Sequence, residues 1–418
     1  MKRRLFLSIL AGASSLFAVA AKPKKRKKKA VKPAAPAISA KTRSAALASV
    51  TEQLQNSSVT YENAAALIPF FEQLYRKGRV SILHYGDSHT AADEWTGHLR
   101  ELFQDKFGNG GAGFSHAGRP WNSYRRMDVR SFGSRFWHSD GLFSREGDGM
   151  YGLAGVSMST TRASESVELK ADGPLLQINY LQQPGGGALE LSDEDVVLDT
   201  ISTDGDLAPG YYKREVKPGP HFYSLRTRDH APVRLFGWVT GNADGLTYET
   251  LGINGAQASM ILNWDAAITA SNVADRNPAL IVLAYGTNEA GNPHLTGEGY
   301  RDILIEVIGR FRTAAPAASI LLIGPPDRFV RSKGKWVPYD AVDRIVAAER
   351  EAAITAGCAF LDLRGKLGGK GTMHEWAVAG LAQFDHVHFT AAGYRLIAEA
   401  MFRDFMDQFA IFLKAREQ

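Results

Sequence analysis

At 418 residues, with 44% hydrophobic side chains, the chain can fill two folded domains or one large domain carrying an insert. Its single cysteine, Cys358, excludes an intramolecular disulfide and reads as a buried small hydrophobe; nothing in the pattern resembles a coiled coil or a repeat array. The net charge of +5 misleads: residues 1–32 hold eleven Lys/Arg and no acid, so removing these eleven charges from +5 leaves −6, and a mildly acidic body argues against nucleic acid as a partner.

The chain opens with Lys2, Arg3 and Arg4 before an apolar run from Leu5 to Ala21, and Ala18-Val19-Ala20 has the small-x-small form of a cleavage site. Residues 1–21 therefore read as a signal peptide, which sends the protein to the periplasm or another extracytoplasmic place. An uncleaved membrane anchor is the alternative, at the lower edge of spanning length. Residues 22–43 read as a basic, disordered linker, with Lys22, Lys24, Lys25, Arg26, Lys27, Lys28, Lys29 and Lys32 among Pro23, Pro33 and Pro36. It serves as a solubilising spacer or makes weak contact with anionic membrane or wall polymer.

Residues 44–77 read as helix, with Leu47, Val50, Leu54 and then Ala64, Leu67, Phe70, Phe71 and Leu74 on recurring faces. Val80 to Tyr85 reads as a short buried strand that runs into Gly86-Asp87-Ser88, and a helix follows through Trp95, Leu99, Leu102 and Phe103. Strand, tight turn and helix begin an α/β unit. Gly108 to Gly113 lacks the Gly-Lys-Ser/Thr ending of a phosphate loop and reads as a tight loop beside the active rim. Trp121, Tyr124, Trp137 and Tyr151 follow; they line a glycan groove or, more commonly for such residues, a core.

From about 130 to 240 the texture changes. Leu176, Ile178 and Tyr180 alternate, as do Val233, Leu235, Gly237 and Val239, between turn signals such as Gly185-Gly186-Gly187 and Pro218-Gly219-Pro220. That pattern predicts an inserted antiparallel β-sandwich. After 245 the α/β rhythm returns, with strands predicted at 248–253, 279–285, 319–324 and 359–363. Helices are predicted at 300–313, 339–356 and 391–412, the last capped by Thr390. Such strands form a parallel sheet covered on both faces, with its binding site at their carboxyl ends. The division is then 44–129 and 241–418 for the α/β part, and 130–240 for the insert.

Three short words carry chemistry: Gly86-Asp87-Ser88-His89, Gly286-Thr287-Asn288-Glu289 and Asp385-His386-Val387-His388. Ser88 alone would be an ordinary helix cap, and a hydroxyl is a feeble nucleophile until a base takes its proton. A carboxylate three residues before a histidine, as in Asp385 and His388, can fix the ring's tautomer and leave its other nitrogen for the hydroxyl. Phe384 and Phe389 flank that word and should anchor it. The amide of Asn288, the backbone N–H of Gly255 and that of Ser88 could stabilise an oxyanion. This chemistry needs no metal or cofactor. Thr90 stands where a Gly-x-Ser-x-Gly elbow would carry its second glycine, which argues against a lipase-type α/β-hydrolase.

Gly-Asp-Ser at 86–88, Gly255, Gly-x-Asn at 286–288 and Asp-x-x-His at 385–388 stand in the order of the SGNH (GDSL) hydrolase blocks, and over 80–125 and 245–410 the chain resembles that superfamily. His89 departs from the Leu of many members. The run from Gly86 to Asp93, followed by Phe107 to Phe114, is similar to periplasmic peptidoglycan O-acetylesterases, in which a carbohydrate-binding-module-like β-sandwich interrupts the catalytic domain. The resemblance implies a three-layer α/β/α fold, flavodoxin-like, with a Ser88-His388-Asp385 triad and an oxyanion hole of Ser88, Gly255 and Asn288. It also implies hydrolysis of the 6-O-acetyl of N-acetylmuramic acid in peptidoglycan, or of an ester on another acetylated glycan. An O-acetyltransferase differs only in the acceptor. A rival, a metallophosphoesterase, would use Asp87, His89, His386 and His388 as ligands.

Overall fold

A computed structural model describes residues 38–142 and 147–418, and Ser39–Gln418 cluster as one compact unit. The predicted signal peptide and most of the predicted linker lie outside the described residues. The last linker residues do not continue as coil. Ser39 accepts the N–H of Thr42 at 3.1 Å and caps helix α1, Ala40–Gln55.

The single helix predicted over 44–77 is broken. After α1 the chain passes through Asn63 at φ +50° and a short 3₁₀ turn, Ala64–Leu67, before α2, Ile68–Arg76, with Pro69 in its first turn. Proline tolerates a helix start and not an interior, so the apolar stripe continues across two helices rather than along one.

Five parallel strands form the central sheet: β1 (Arg79–Gly86), β2 (Gly245–Gly252), β3 (Leu280–Ala284), β4 (Ser319–Ile323) and β5 (Ala359–Leu361). Their order is β2-β1-β3-β4-β5, the flavodoxin-like arrangement. Strands β3, β4 and β5 are buried throughout. Val80 and Ile82 of β1 face one core, shared with α1, α2, α3 (Trp95–Phe107) and α7 (Ala391–Arg416). Leu83 and Tyr85 face a second, shared with α4 (Ala266–Arg276), α5 (Gly297–Ala314) and α6 (Ala341–Thr355). This is the three-layer α/β/α sandwich, and it explains why these strands read as continuous apolar runs.

Two antiparallel sheets form the β-rich part. One orders strands 208–215, 175–182, 233–241, 157–160 and 138–140; the other orders 130–133, 166–172, 220–227, 188–193 and 196–202. Ile178, Leu235 and Trp238 meet Val167, Leu189 and Leu191 in the core between them. Gln177 and Asn179, on the opposite face of their strand, are buried too, because that face packs on the α/β body, where Gln177 Nε2 donates to Asp275 at 2.6 Å. A strand from before the insert, Gly113–Ser115, also joins the first sheet beside 233–241.

The glycine-rich loop 108–113 does not lie beside the carboxyl rim. The N–H of Gly110 donates to the carbonyl of Leu246, at the start of β2. Helix α3 runs back across the sheet after Ser88 and so delivers this loop to the opposite end. Tyr151 is buried in the second core, against which Trp121 packs half-buried, Tyr124 is buried beside His116 and Trp121, and Trp137 packs half-buried on the core between the antiparallel sheets.

Beyond that loop His116 is buried among Phe114, Trp121 and Tyr124, and burial, helped by the charge of Arg126, holds its pKa down to about 3 from 6.5. The ring is neutral in the fold but takes up a proton below about 6.5 on unfolding. Its contribution is therefore intact above that pH and is lost as pH falls toward 3. His116→Phe should shrink the loss of stability between pH 7 and pH 4 by about 3 kcal/mol, read from urea unfolding at both values. An unchanged loss would contradict the neutral ring.

Candidate active site

In this strand order the crevice opens between β1 and β3, where connections depart to opposite sides. Gly86, the last residue of β1, pairs with Gly252 of β2 and Ala284 of β3, so the three following loops start side by side. A Cβ on Gly86 would lie 2.2 Å from Thr90 Oγ1 and 2.6 Å from the carbonyl of Ala284. Glycine is needed there because the turn Ser88–Ala91 folds back onto the sheet.

Asp87 caps that turn, its Oδ1 accepting the N–H of His89 at 2.9 Å. Burial pushes its carboxyl up to about 6, against the pull of the His89 N–H and the Thr287 hydroxyl. Ser88 is left with its side chain free, and its Oγ lies 2.9 Å from His388 Nε2. His388 Nδ1 lies 2.8 Å from Asp385 Oδ2, while Asp385 Oδ1 accepts the backbone N–H groups of Val387 and His388 at 2.9 and 3.0 Å. Burial works to raise the Asp385 carboxyl, but these bonds outweigh it and hold the group below its ordinary value. An ionised Asp385 accepts from Nδ1–H, so Nε2 carries the lone pair that faces the Ser88 hydroxyl.

Only one of the two flanking phenylalanines anchors the turn that carries this pair. Phe389 is buried as predicted, but Phe384 is 63% exposed. The second anchor is His386, at φ +57°, whose ring packs on Trp336, Phe329 and His374 at 4.8–5.4 Å. Its Nε2 lies 3.1 Å from His374 Nδ1 and its Nδ1 lies 3.0 Å from the carbonyl of Phe384. His89 is buried with Nδ1 2.8 Å from the Tyr394 hydroxyl, and its ring lies 5.3 Å from that of His388. Burial holds its pKa down to about 3, so it packs as a neutral ring. The four ligands of the metal reading thus do not turn toward one point. No group of three or more His, Cys, Asp or Glu among the described residues is arranged around a metal position.

The three predicted donors sit on the loops after β1, β2 and β3. Gly255 is exposed at φ +76°. Asn288 Nδ2 donates to the carbonyl of Ala256 at 2.9 Å, which spends one of its two hydrogens and orients the other. Among the described residues the backbone N–H groups of Ser88 and Gly255 have no acceptor.

Two residues to which the sequence assigns no role of their own complete the rim. Glu289 is buried, with Oε1 on the N–H of Ala258 at 2.7 Å and Oε2 on that of Gly286 at 3.0 Å. One carboxylate therefore ties the Gly255 loop to the Asn288 loop, and burial pushes it up to about 7. Arg328, in the loop after β4, donates from Nη1 to the carbonyl of Thr287 at 2.5 Å. The only signal in the sequence was position, since each follows a strand of the parallel sheet by a few residues.

Residues 220–396 match the model of the GDSL-like lipase/acylhydrolase family, a span that holds Gly255, Asn288, Asp385 and His388 but not Ser88. No curated protein matches the chain. Among solved structures, a peptidoglycan O-acetylesterase is similar at 26% identity and TM-score 0.70, over 82% of this chain and 96% of its own. An active-site mutant of a family two carbohydrate esterase from Clostridium thermocellum aligns at 11% identity and TM-score 0.30, over 66% and 99% of the two chains. An acetylxylan esterase from Geobacillus stearothermophilus aligns at 16% and 0.30, over 39% and 72%. These last two are too distant to carry an argument. The GDSL-like match over residues 220–396 and the fold shared across 82% of the chain support a carboxylic ester hydrolase with the SGNH fold.

Proposed function

We propose that the protein removes O-acetyl groups from cell-wall peptidoglycan, at the 6-hydroxyl of N-acetylmuramic acid, through an acyl-enzyme on Ser88. The observation that carries this reading is the unbroken relay from Asp385 through His388 to Ser88, with contacts of 2.8 and 2.9 Å. The substrate class is supported by the similarity to the peptidoglycan O-acetylesterase, and with it an extracytoplasmic place of action. No helix among the described residues is long and apolar enough to cross a membrane.

In this mechanism Ser88 Oγ attacks the acetyl carbonyl while His388 Nε2 takes its proton. The N–H groups of Ser88 and Gly255 and the amide of Asn288 receive the charge that develops on the carbonyl oxygen. His388 returns the proton to the departing sugar hydroxyl. Water then enters, gives its proton to His388 and releases acetate, restoring Ser88. Asn288→Ala should lower kcat roughly 100- to 1,000-fold with a smaller change in KM, since the amide works mainly in the transition state. Equal turnover by the variant would remove Asn288 from the oxyanion hole.

The test of the substrate is acetate release, resolved by mass, from O-acetylated peptidoglycan, acetylated xylan and an aryl acetate. Faster release from peptidoglycan than from xylan supports the reading. A preference for xylan would move the protein to another glycan, and acetyl appearing on an added sugar in place of free acetate would make it a transferase.

A further inference from the structure

The loop Gly324-Pro325-Pro326-Asp327-Arg328 leaves β4 at the same end of the sheet as Ser88 and Asn288 leave β1 and β3. Asp327 turns away and lies 3.3 Å from Arg364, while Arg328 turns to the rim. Its Nη1 reaches the carbonyl of Thr287, the residue before Asn288, and its guanidinium lies 5.3 Å from the Tyr339 ring. The Nε atom is buried and has no partner. Among the described residues no carboxylate lies within ion-pair distance of Arg328, although most of the other half-buried or buried arginines have one, such as Arg100, Arg126, Arg276 and Arg364.

A guanidinium partly withdrawn from water, with no carboxylate in direct contact, is costly unless something completes it. Its planar fork matches a carboxylate bidentately, which an ammonium does not. The charge of Arg328 is also felt at Asp87 and His89, the residues on either side of Ser88, so an anion held there lies close to the acyl group being cleaved.

We propose that Arg328 is a specificity-determining residue: it receives a carboxylate of the substrate, so the preferred esters are acetyl esters on acidic molecules rather than neutral ones. This rests on the esterase reading of Ser88. Arg328 takes no part in the bond changes; it favours binding of the anionic substrate in ground and transition states.

The experiment compares kcat/KM for 3- and 4-acetoxybenzoate with that for the matching uncharged 3- and 4-acetoxybenzamide. The full-length protein should prefer at least one benzoate, and added salt should weaken that preference. Arg328→Gln should lower kcat/KM for that benzoate roughly 10- to 100-fold more than for the matching benzamide. Arg328→Lys, which keeps the charge, should retain part of the preference. Equal losses on charged and uncharged esters would show that Arg328 only braces the Thr287 carbonyl, and would overturn the proposal. So would wild-type protein that cleaves both without discrimination. Failure to cleave any of the four would sink the esterase reading itself, a different result from cleavage without preference.

Discussion

Ser88→Ala is expected to lower kcat on an aryl acetate by roughly 10⁴-fold or more and to leave the fold intact. The loss is large because no neighbouring hydroxyl can replace Ser88: Thr90, two residues on, is buried with its Oγ1 turned toward Gly86. Stability should hardly change, since the cap of the turn is Asp87, not Ser88, and among the described residues the Ser88 hydroxyl has His388 as its one side-chain partner. His388→Ala should cost about as much, and the double variant little more, because the two act as one unit. An organophosphonate should add its mass to wild-type protein at Ser88 and leave Ser88→Ala unmodified. Near-full turnover by Ser88→Ala would remove the nucleophile and with it the mechanism.

The legible parts of this site were those whose chemistry is local. Gly86-Asp87-Ser88 closes an apolar run, and Asp385 and His388 stand three apart in one turn, so both could be read from neighbours in the sequence. Phe384 shows the limit of the same reasoning: a phenylalanine beside Asp385 reads as an anchor, yet it is exposed, and the anchor is the polar-looking His386. The roles of Glu289 and Arg328 are not legible in the sequence, for a physical reason. Each acts across strands, on Ala258 and on Thr287, and strand order is not written in any one segment. The fold divided in the same way. The central strands were found because burial on both faces makes them apolar throughout, whereas the break between α1 and α2 hid under a stripe of Ala, Leu and Phe that both helices bury. The loop 108–113 was assigned to the wrong end of the sheet because glycine reports close backbone approach but not to which end of a strand.

Arg276→Met should destabilise the protein by about 3–5 kcal/mol, visible as a lower urea midpoint at pH 7 with the slope unchanged. Glu249, in the middle of β2, is fully buried, and among the described residues Arg276, at the end of α4, is its only charged hydrogen-bond partner, with Nε 3.1 and 3.2 Å from the two oxygens and Nη2 on Oε1. Ser81 and Thr247 add hydroxyl donors at 3.3 and 3.1 Å. Removing the guanidinium leaves two hydroxyls facing a carboxylate that has no counter-charge and little access to water. Exposed Arg79, near enough to feel both charges, offsets part of the loss and favours the lower end of that range. The second variant separates charge from packing. Arg276→Met combined with Glu249→Gln removes both charges but keeps an acceptor oxygen for Ser81 and Thr247, and it should recover more than half of the loss. A single variant destabilised by less than about 1 kcal/mol would mean that water reaches Glu249 after all. A double variant no better than the single one would assign the loss to the packing of the Arg276 stem against the sheet rather than to its charge.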